Sequence, residues 1–200
     1  MNHYSQNNEQ EVLLEELAGK TDGRFLDLGA FDAKAFSNTR ALYELGWNGV
    51  MVEPSPGPFR ALVQEYGYEP RITLVHAAVG LVPKMVTMYA SDDALSCCGA
   101  AQHKRAEAEG YKFYGSFAQP VISLGYLCAN FGLKYDFVSI DIEGTSADLF
   151  LYALTMISPK CWCVEHDGRF RELEEKARKY YGYRLASQNG ENCIFVREGA

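Results

Sequence analysis

Asp27, Glu53, Asp141, Glu143 and Glu165 each stand within or at the end of a run of apolar residues. A carboxylate so placed is costly to bury unless a ligand, a cation or a hydrogen-bond network meets it. Asp27 belongs to Phe25-Leu26-Asp27-Leu28-Gly29-Ala30, an apolar run that breaks into small residues. Glu53 closes Gly49-Val50-Met51-Val52, 26 residues further on. An acid at the tip of the next strand is where an open α/β sheet holds a ribose diol, so the pair reads as a nucleoside-cofactor site. Asp141 and Glu143 lie two apart after Phe137-Val138-Ser139-Ile140, which on a strand turns both to one face. Capping of a following helix accounts for one of them but less easily for both, and they read as functional groups. His166, directly after Glu165, is either a general base or a hydrogen-bonded rim residue.

The glycine pattern narrows the nucleoside. A dinucleotide fold uses G-x-G-x-x-G, whose second glycine lets the backbone approach a pyrophosphate. Here Phe31 and Ala33 follow Gly29, and Asp27 and Asp32 would repel phosphates. A sulfonium cofactor without phosphates and with two positive charges suits an acidic turn. S-adenosylmethionine is therefore the expected cofactor, and an NAD(P) oxidoreductase the distant alternative.

Strands and helices must alternate to bring these acids together. Strands are predicted at Arg24–Leu28, Gly49–Glu53, Ile72–Val79, Met85–Ala90, Asp136–Ile142 and Cys161–Glu165. A helix from Ser37 to Leu45 stops at Gly46, and Phe59, Leu62, Val63 and Tyr66 mark a one-faced helix ended by Gly67. Further helices follow Ser123, follow Thr145 or Ser146, and run from Phe170 to Tyr180. Asn189-Gly190 joins two short runs in a closing hairpin. The fold class is α/β: one doubly wound, mostly parallel sheet with one reversed strand. Glu9–Ala18 reads as a helical N-terminal extension within residues 1–20. Residues 91–120 lack periodicity and read as an insertion, either a lid or a surface excursion.

The chain has 200 residues, enough for one α/β domain and short for two. Its 48% hydrophobic and 22% charged residues are those of a globular protein, and no apolar run reaches the ~20 residues of a membrane span. No secretory signal is visible, so a cytoplasmic location is expected. The net charge of −7 argues against a general nucleic-acid or membrane binder. The six cysteines show no zinc spacing and read as buried free thiols. His76 reads as a satisfied core histidine. No metal is expected, although Asp141, Glu143 and Asp167 are the acids that would supply one.

Four segments resemble the FkbM-type S-adenosylmethionine-dependent methyltransferases. Asp27-Leu28-Gly29-Ala30-Phe31-Asp32 is similar to the family's D-x-G-A-x-x-G loop, and Val52-Glu53-Pro54-Ser55-Pro56 to its "vEPnP" segment. Ala77-Ala78-Val79-Gly80 resembles "aAvG", and Ser139-Ile140-Asp141-Ile142-Glu143-Gly144 resembles "kIDvEG". The resemblance implies the seven-stranded class I methyltransferase fold and transfer of a methyl group to a hydroxyl of a small molecule or sugar. It implies that Asp27 and Gly29 hold the methionine part, Glu53 the ribose, and the Ala77-Ala78 backbone the adenine, with Ala30, Phe31 and Pro54 beside them. Asp141 and Glu143 would face the reacting methyl, with His166 as a further catalytic candidate. Ala33 stands where the loop has its second glycine, and Ser146 where the family has a second glutamate. These departures leave open a non-catalytic cofactor-binding subunit or sensor.

Overall fold

The computed structural model describes residues 2–91, 97, 98 and 100–199, with backbone alone for 97, 98 and 100–102. Asp92 and Asp93 and the side chains of the Cys97-Cys98 pair lie outside the described residues.

Strand β1 (Arg24–Leu28) is the hub. It pairs in parallel with β2 (Asn48–Val52) on one side and with β8 (Phe137–Ile140) on the other. Phe25, Leu26 and Leu28 have no exposed surface, as a strand covered on both faces requires. Outward from this centre lie β3 (Ile72–Val75) beyond β2, and β9 (Cys161–Glu165) beyond β8. A hairpin of β10 (Tyr183–Gln188) and β11 (Asn192–Arg197) completes seven strands in the order β10-β11-β9-β8-β1-β2-β3. β11 is antiparallel to both neighbours, the one reversed strand the sequence predicts.

Side chains alternate between two cores, with the period of two that strands impose. Leu26, Leu28, Val138, Ile140, Trp162 and Val164 face helices α5 (Leu124–Phe131), α6 (Ser146–Ala153) and α7 (Phe170–Tyr181). Phe25, Met51, Phe137, Cys161 and Cys163 face α1 (Glu9–Glu16), α2 (Arg40–Glu44) and α3 (Pro56–Tyr66). Cys128, Cys161, Cys163 and Cys193 are free and buried, as expected.

Three predicted features come out differently. The run Ile72–Val79 is not one strand: the chain leaves the large sheet after Val75, and β4 (Ala78–Gly80) joins a second sheet. That sheet has the order β4-β7-β5-β6, with β5 (Lys84–Ser91), β6 (Cys97–Cys98) and β7 (Phe113–Ser123). So eleven of the thirty residues 91–120 are described as strand, alongside α4 (Ala100–Ala108). Pro120 obscures it in the sequence, but β4 pairs with β7 only from Val121 onward, so Pro120 stands where that side of β7 is an edge. His76 is exposed, stacked on Phe59 at 4.3 Å with its Nε2 3.2 Å from the Pro54 carbonyl. It sits at the bend between the two sheets, which is why a core position fails.

Candidate functional site

The C-terminal ends of β1, β2, β8 and β9 open onto a cavity of about 1060 Å³, walled on the far side by β4, β5 and β7. Gly29 must be glycine. Its φ is +87°, and a β-carbon there would overlap the Asp141 carbonyl oxygen. The Gly29 and Ala30 N–H groups both donate to the Val52 carbonyl, and Asp141 N–H donates to Leu28. The chain thus crosses three strand ends with no spare space.

Glu53 anchors the next loop. One carboxylate oxygen accepts from Phe31 N–H at 3.0 Å and the other from Ser55 N–H at 2.6 Å. Burial pushes its pKa up, and those two backbone donors oppose the rise. Gly29, Phe31, Glu53, Pro54, Ala77 and Ala78 all line the cavity. Ala30 is buried behind Gly29, in the core that includes Ala33.

Asp27 points elsewhere. Its carboxylate is buried beneath the loop, accepts the Thr39 hydroxyl at 2.6 Å and does not line the cavity. Burial pushes its pKa up to about 6, opposed by Thr39 and reinforced by Glu53. His166 is also turned away. Its Nδ1 accepts from Gly168 N–H at 3.0 Å, which leaves the hydrogen on Nε2 facing the Asn189 carbonyl at 3.3 Å. Both ring nitrogens are engaged at the β9 turn and the hairpin, and His166 is not among the residues that line the cavity.

Asp141, Glu143 and Glu165 do meet in the cavity. Asp141 and Glu165 follow paired residues at the ends of neighbouring strands, and the Ser146 hydroxyl donates to Glu165 at 2.7 Å while accepting from Ile142 N–H at 2.9 Å. Burial pushes Asp141 well up, and Glu165, Glu143 and Asp27 add to it. Burial lifts Glu143 to about 8, with Glu165, Asp167 and Glu191 contributing. Asp167 caps α6 by accepting from Ala147 N–H at 2.8 Å. Among the described residues no three His, Cys, Asp or Glu side chains form a metal-holding group.

Backbone strain gathers here. Phe31, Phe36, Glu143 and Asp167 are the non-glycine residues with positive φ among those described, and the first three line the cavity. Ala33 is not one of them, so its methyl group is tolerated where the loop departs from the expected glycine.

Glu165, Ser146 and Thr39 are members of this network that the sequence reading did not select as site residues. In the sequence Ser146 stands out as a departure from a motif and as a candidate helix start, not as a partner of Glu165. Gln6 and Glu191, hydrogen-bonded at 3.3 Å, bring the N-terminal segment and the hairpin turn to the rim. Glu9 secures both, accepting from Asn189 at 2.7 Å and Asn192 at 2.9 Å.

The methyltransferase FkbM domain matches residues 27–184. Comparison with curated proteins finds no match. Among solved structures, precorrin-6y C5,15-methyltransferase from Geobacter metallireducens superposes with a TM-score of 0.53 at 11% identity, covering 98% of this chain and 93% of that one. The C-terminal domain of precorrin-6Y C5,15-methyltransferase from Rhodobacter capsulatus gives 0.51 at 12% identity, covering 94% and 86%. At such identities these likenesses speak for the fold, that of Rossmann-like methyltransferases. The domain match spans most of the chain and takes in every acid of the cavity but Glu191, and so the chain belongs to the FkbM methyltransferase family, whose cofactor is S-adenosylmethionine.

Proposed function

We propose that the protein methylates a hydroxyl of a small molecule or sugar, with the cofactor between Gly29, Glu53 and Ala77-Ala78 and the acceptor at Asp141, Glu143 and Glu165. The observation that carries this reading is the charge of the cavity wall: among the described residues, six carboxylates (Glu53, Asp141, Glu143, Asp148, Glu165, Glu191) against one ammonium, Lys84. Such a wall fits a cofactor with an ammonium and a sulfonium and disfavours a polyphosphate. Glu53 has both oxygens fixed by backbone donors, and its remaining lone pairs suit two ribose hydroxyls. When bound, the cofactor supplies an electrophilic methyl group.

What the chain itself must do is align, exclude water and take a proton. Gly29 and Glu53 fix the cofactor's position along the strand ends, which supplies alignment for an in-line displacement. Asp27 acts behind them, holding Thr39 and the loop rather than the ligand. The arm formed by β5 and β7 bounds the acceptor side and serves as a lid. A cavity at the upper limit of ordinary ligand sites, roughly 300–1,000 Å³, leaves room for a small acceptor beside the cofactor. Nucleic acid and membranes are not its substrates on this reading, given the net charge of −7, and no helix among the described residues is long and apolar enough to cross a membrane. The protein acts in the cytoplasm.

The test is methyl transfer from labelled S-adenosylmethionine to a panel of hydroxyl-bearing metabolites and sugars, amines, carboxylates and RNA. Label in a hydroxyl compound is the expected result. Label confined to RNA or to amines would replace this reading.

A further inference from the structure

Glu165 ends β9, one strand away from Asp141 on β8, in a parallel pair whose register sets Ile140 opposite Val164. Each acid therefore follows its paired residue directly, and both line the same cavity wall. Two carboxyls side by side and largely removed from water cannot readily both ionise, so the pair favours holding one proton between them. The Ser146 hydroxyl fixes which oxygen takes part. It accepts from Ile142 N–H and therefore has its hydrogen free for Glu165 Oε2. Ser146 is itself fully buried at the start of α6, and Asp167 holds that helix end through Ala147 N–H. The position that departs from the family motif is thus occupied by a residue that aims a glutamate from the neighbouring strand.

We propose that Glu165, held against Asp141 by Ser146, is the proton acceptor of the transfer, and that the pair gives up its shared proton when the cationic cofactor binds. This rests on the reading of the cavity given above, with a hydroxyl as the nucleophile. Binding of a sulfonium brings one positive charge to the pair, and the proton between the carboxyls leaves to solvent. In the transfer, the acceptor oxygen takes the methyl group and its hydroxyl proton passes to Glu165. The sulfur keeps the electron pair of the broken bond and becomes neutral. Before the step the cavity holds one cation and two carboxylates; afterwards it holds a neutral thioether and two carboxyls with one proton between them. The sum is −1 on both sides, so no net charge is created in a poorly solvated site during the reaction.

The groups facing the pair make a trapped proton the stable state without a cation. Asp27 comes from β1, Glu143 from the loop after β8 and Asp167 from the turn after β9, all of them acids, and Glu191 from the hairpin turn acts in turn on Glu143. Burial raises Asp141 and Glu165, and the Ser146 hydroxyl opposes the rise in Glu165. Lys84 is the one cation of the cavity wall among the described residues.

The experiment is calorimetric titration of the full chain with S-adenosylmethionine and with neutral-sulfur S-adenosylhomocysteine. Run at pH 7 in phosphate and in Tris, buffers of different ionisation enthalpy, it counts protons released. The expected result is about one proton more for the methionine form than for the homocysteine form, with that excess lost in Glu165→Gln. Ser146→Ala removes a donor to Glu165 while sparing both carboxyls. It should raise the pH above which methionine-form affinity becomes constant, a shift that mere loosening of α6 would not produce. Tight binding of both forms with equal proton release overturns the proposal, as does an undiminished excess in a folded Glu165→Gln protein. If Glu165→Gln fails to fold, an unmoved pH dependence in Ser146→Ala overturns it instead. Failure of the wild-type chain to bind either form overturns the reading of the cavity itself.

Discussion

Gly29 and Asp141 are locked together: the α-carbon of one lies so close to the backbone carbonyl of the other that no β-carbon fits between them. The loop after β1 and the end of β8 are therefore packed as one unit, and neither can shift without the other.

Gly29→Ala should accordingly damage both sides at once. The added methyl group meets the Asp141 carbonyl, and the left-handed φ of +87° adds its own strain. The expected loss is about 3 kcal/mol of stability, together with loss of cofactor binding. Thermal melts and titration of the purified variant check both, and a stable variant with normal affinity would show that the loop can reorganise.

Much of this arrangement is legible in the sequence. β1, β2, β8 and β9 are apolar runs buried on both faces, so their position and their acidic ends follow from residue type. What residue type does not carry is direction. Asp27 is a site acid by pattern, yet Thr39, packed from α2, takes its carboxylate and turns it inward. The role of Glu9, read from the sequence only as the start of a helical extension, stays hidden because its partners Asn189 and Asn192 come from the far end of the chain. The strand Phe113–Ser123 stays hidden because one of its faces is open: Ser116, Ala118 and Pro120 are exposed and alternate with half-buried Phe117 and buried Gln119 and Val121, a face of mixed polarity.

Stability of the protein without ligand should fall as pH rises from about 5 to about 8. Asp27 is raised to about 6 and Glu143 to about 8, and Asp141 and Glu165 are also raised. An acid with a raised folded pKa contributes its stability fully below its unfolded pKa and loses it as pH climbs through the folded value. Glu69 and Glu172, lowered to about 2 by Arg71 and by Arg169 and Lys176, work the other way and weaken the fold only in stronger acid. Melting temperatures across this range measure the sum, and a maximum near pH 8 would contradict the assignment.

Glu9→Ala should release the N-terminal segment from the hairpin. Glu9 is buried, and its carboxylate accepts from Asn7 N–H, Asn189 and Asn192. Burial opposes its ionisation, but these hydrogen bonds outweigh that effect and its pKa is lowered. Truncation should cost about 3 kcal/mol, measured by denaturant unfolding. Because the folded pKa is the lower one, the difference from wild type should shrink as pH falls below about 4. A loss under about 0.5 kcal/mol would mean that the segment is not held by this contact.

Methyl transfer should survive exhaustive chelation. Glu53 is engaged with two backbone donors and Glu165 with Ser146, an arrangement that serves a cationic cofactor without a metal. Activity lost with EDTA and restored by Mg²⁺ would recast Asp141 and Glu143 as ligands.

Glu53 tests the central claim most directly, because it joins the β1 loop, the β2 tip and the cavity through two backbone hydrogen bonds. The measurement is calorimetric titration of S-adenosylmethionine into the wild-type protein and into Glu53→Ala. Saturable binding that weakens by about 2–3 kcal/mol in the variant is the predicted result, the loss of charge-assisted hydrogen bonds to the ribose. Equal affinity in the two proteins, or no binding to either at millimolar cofactor, would contradict it.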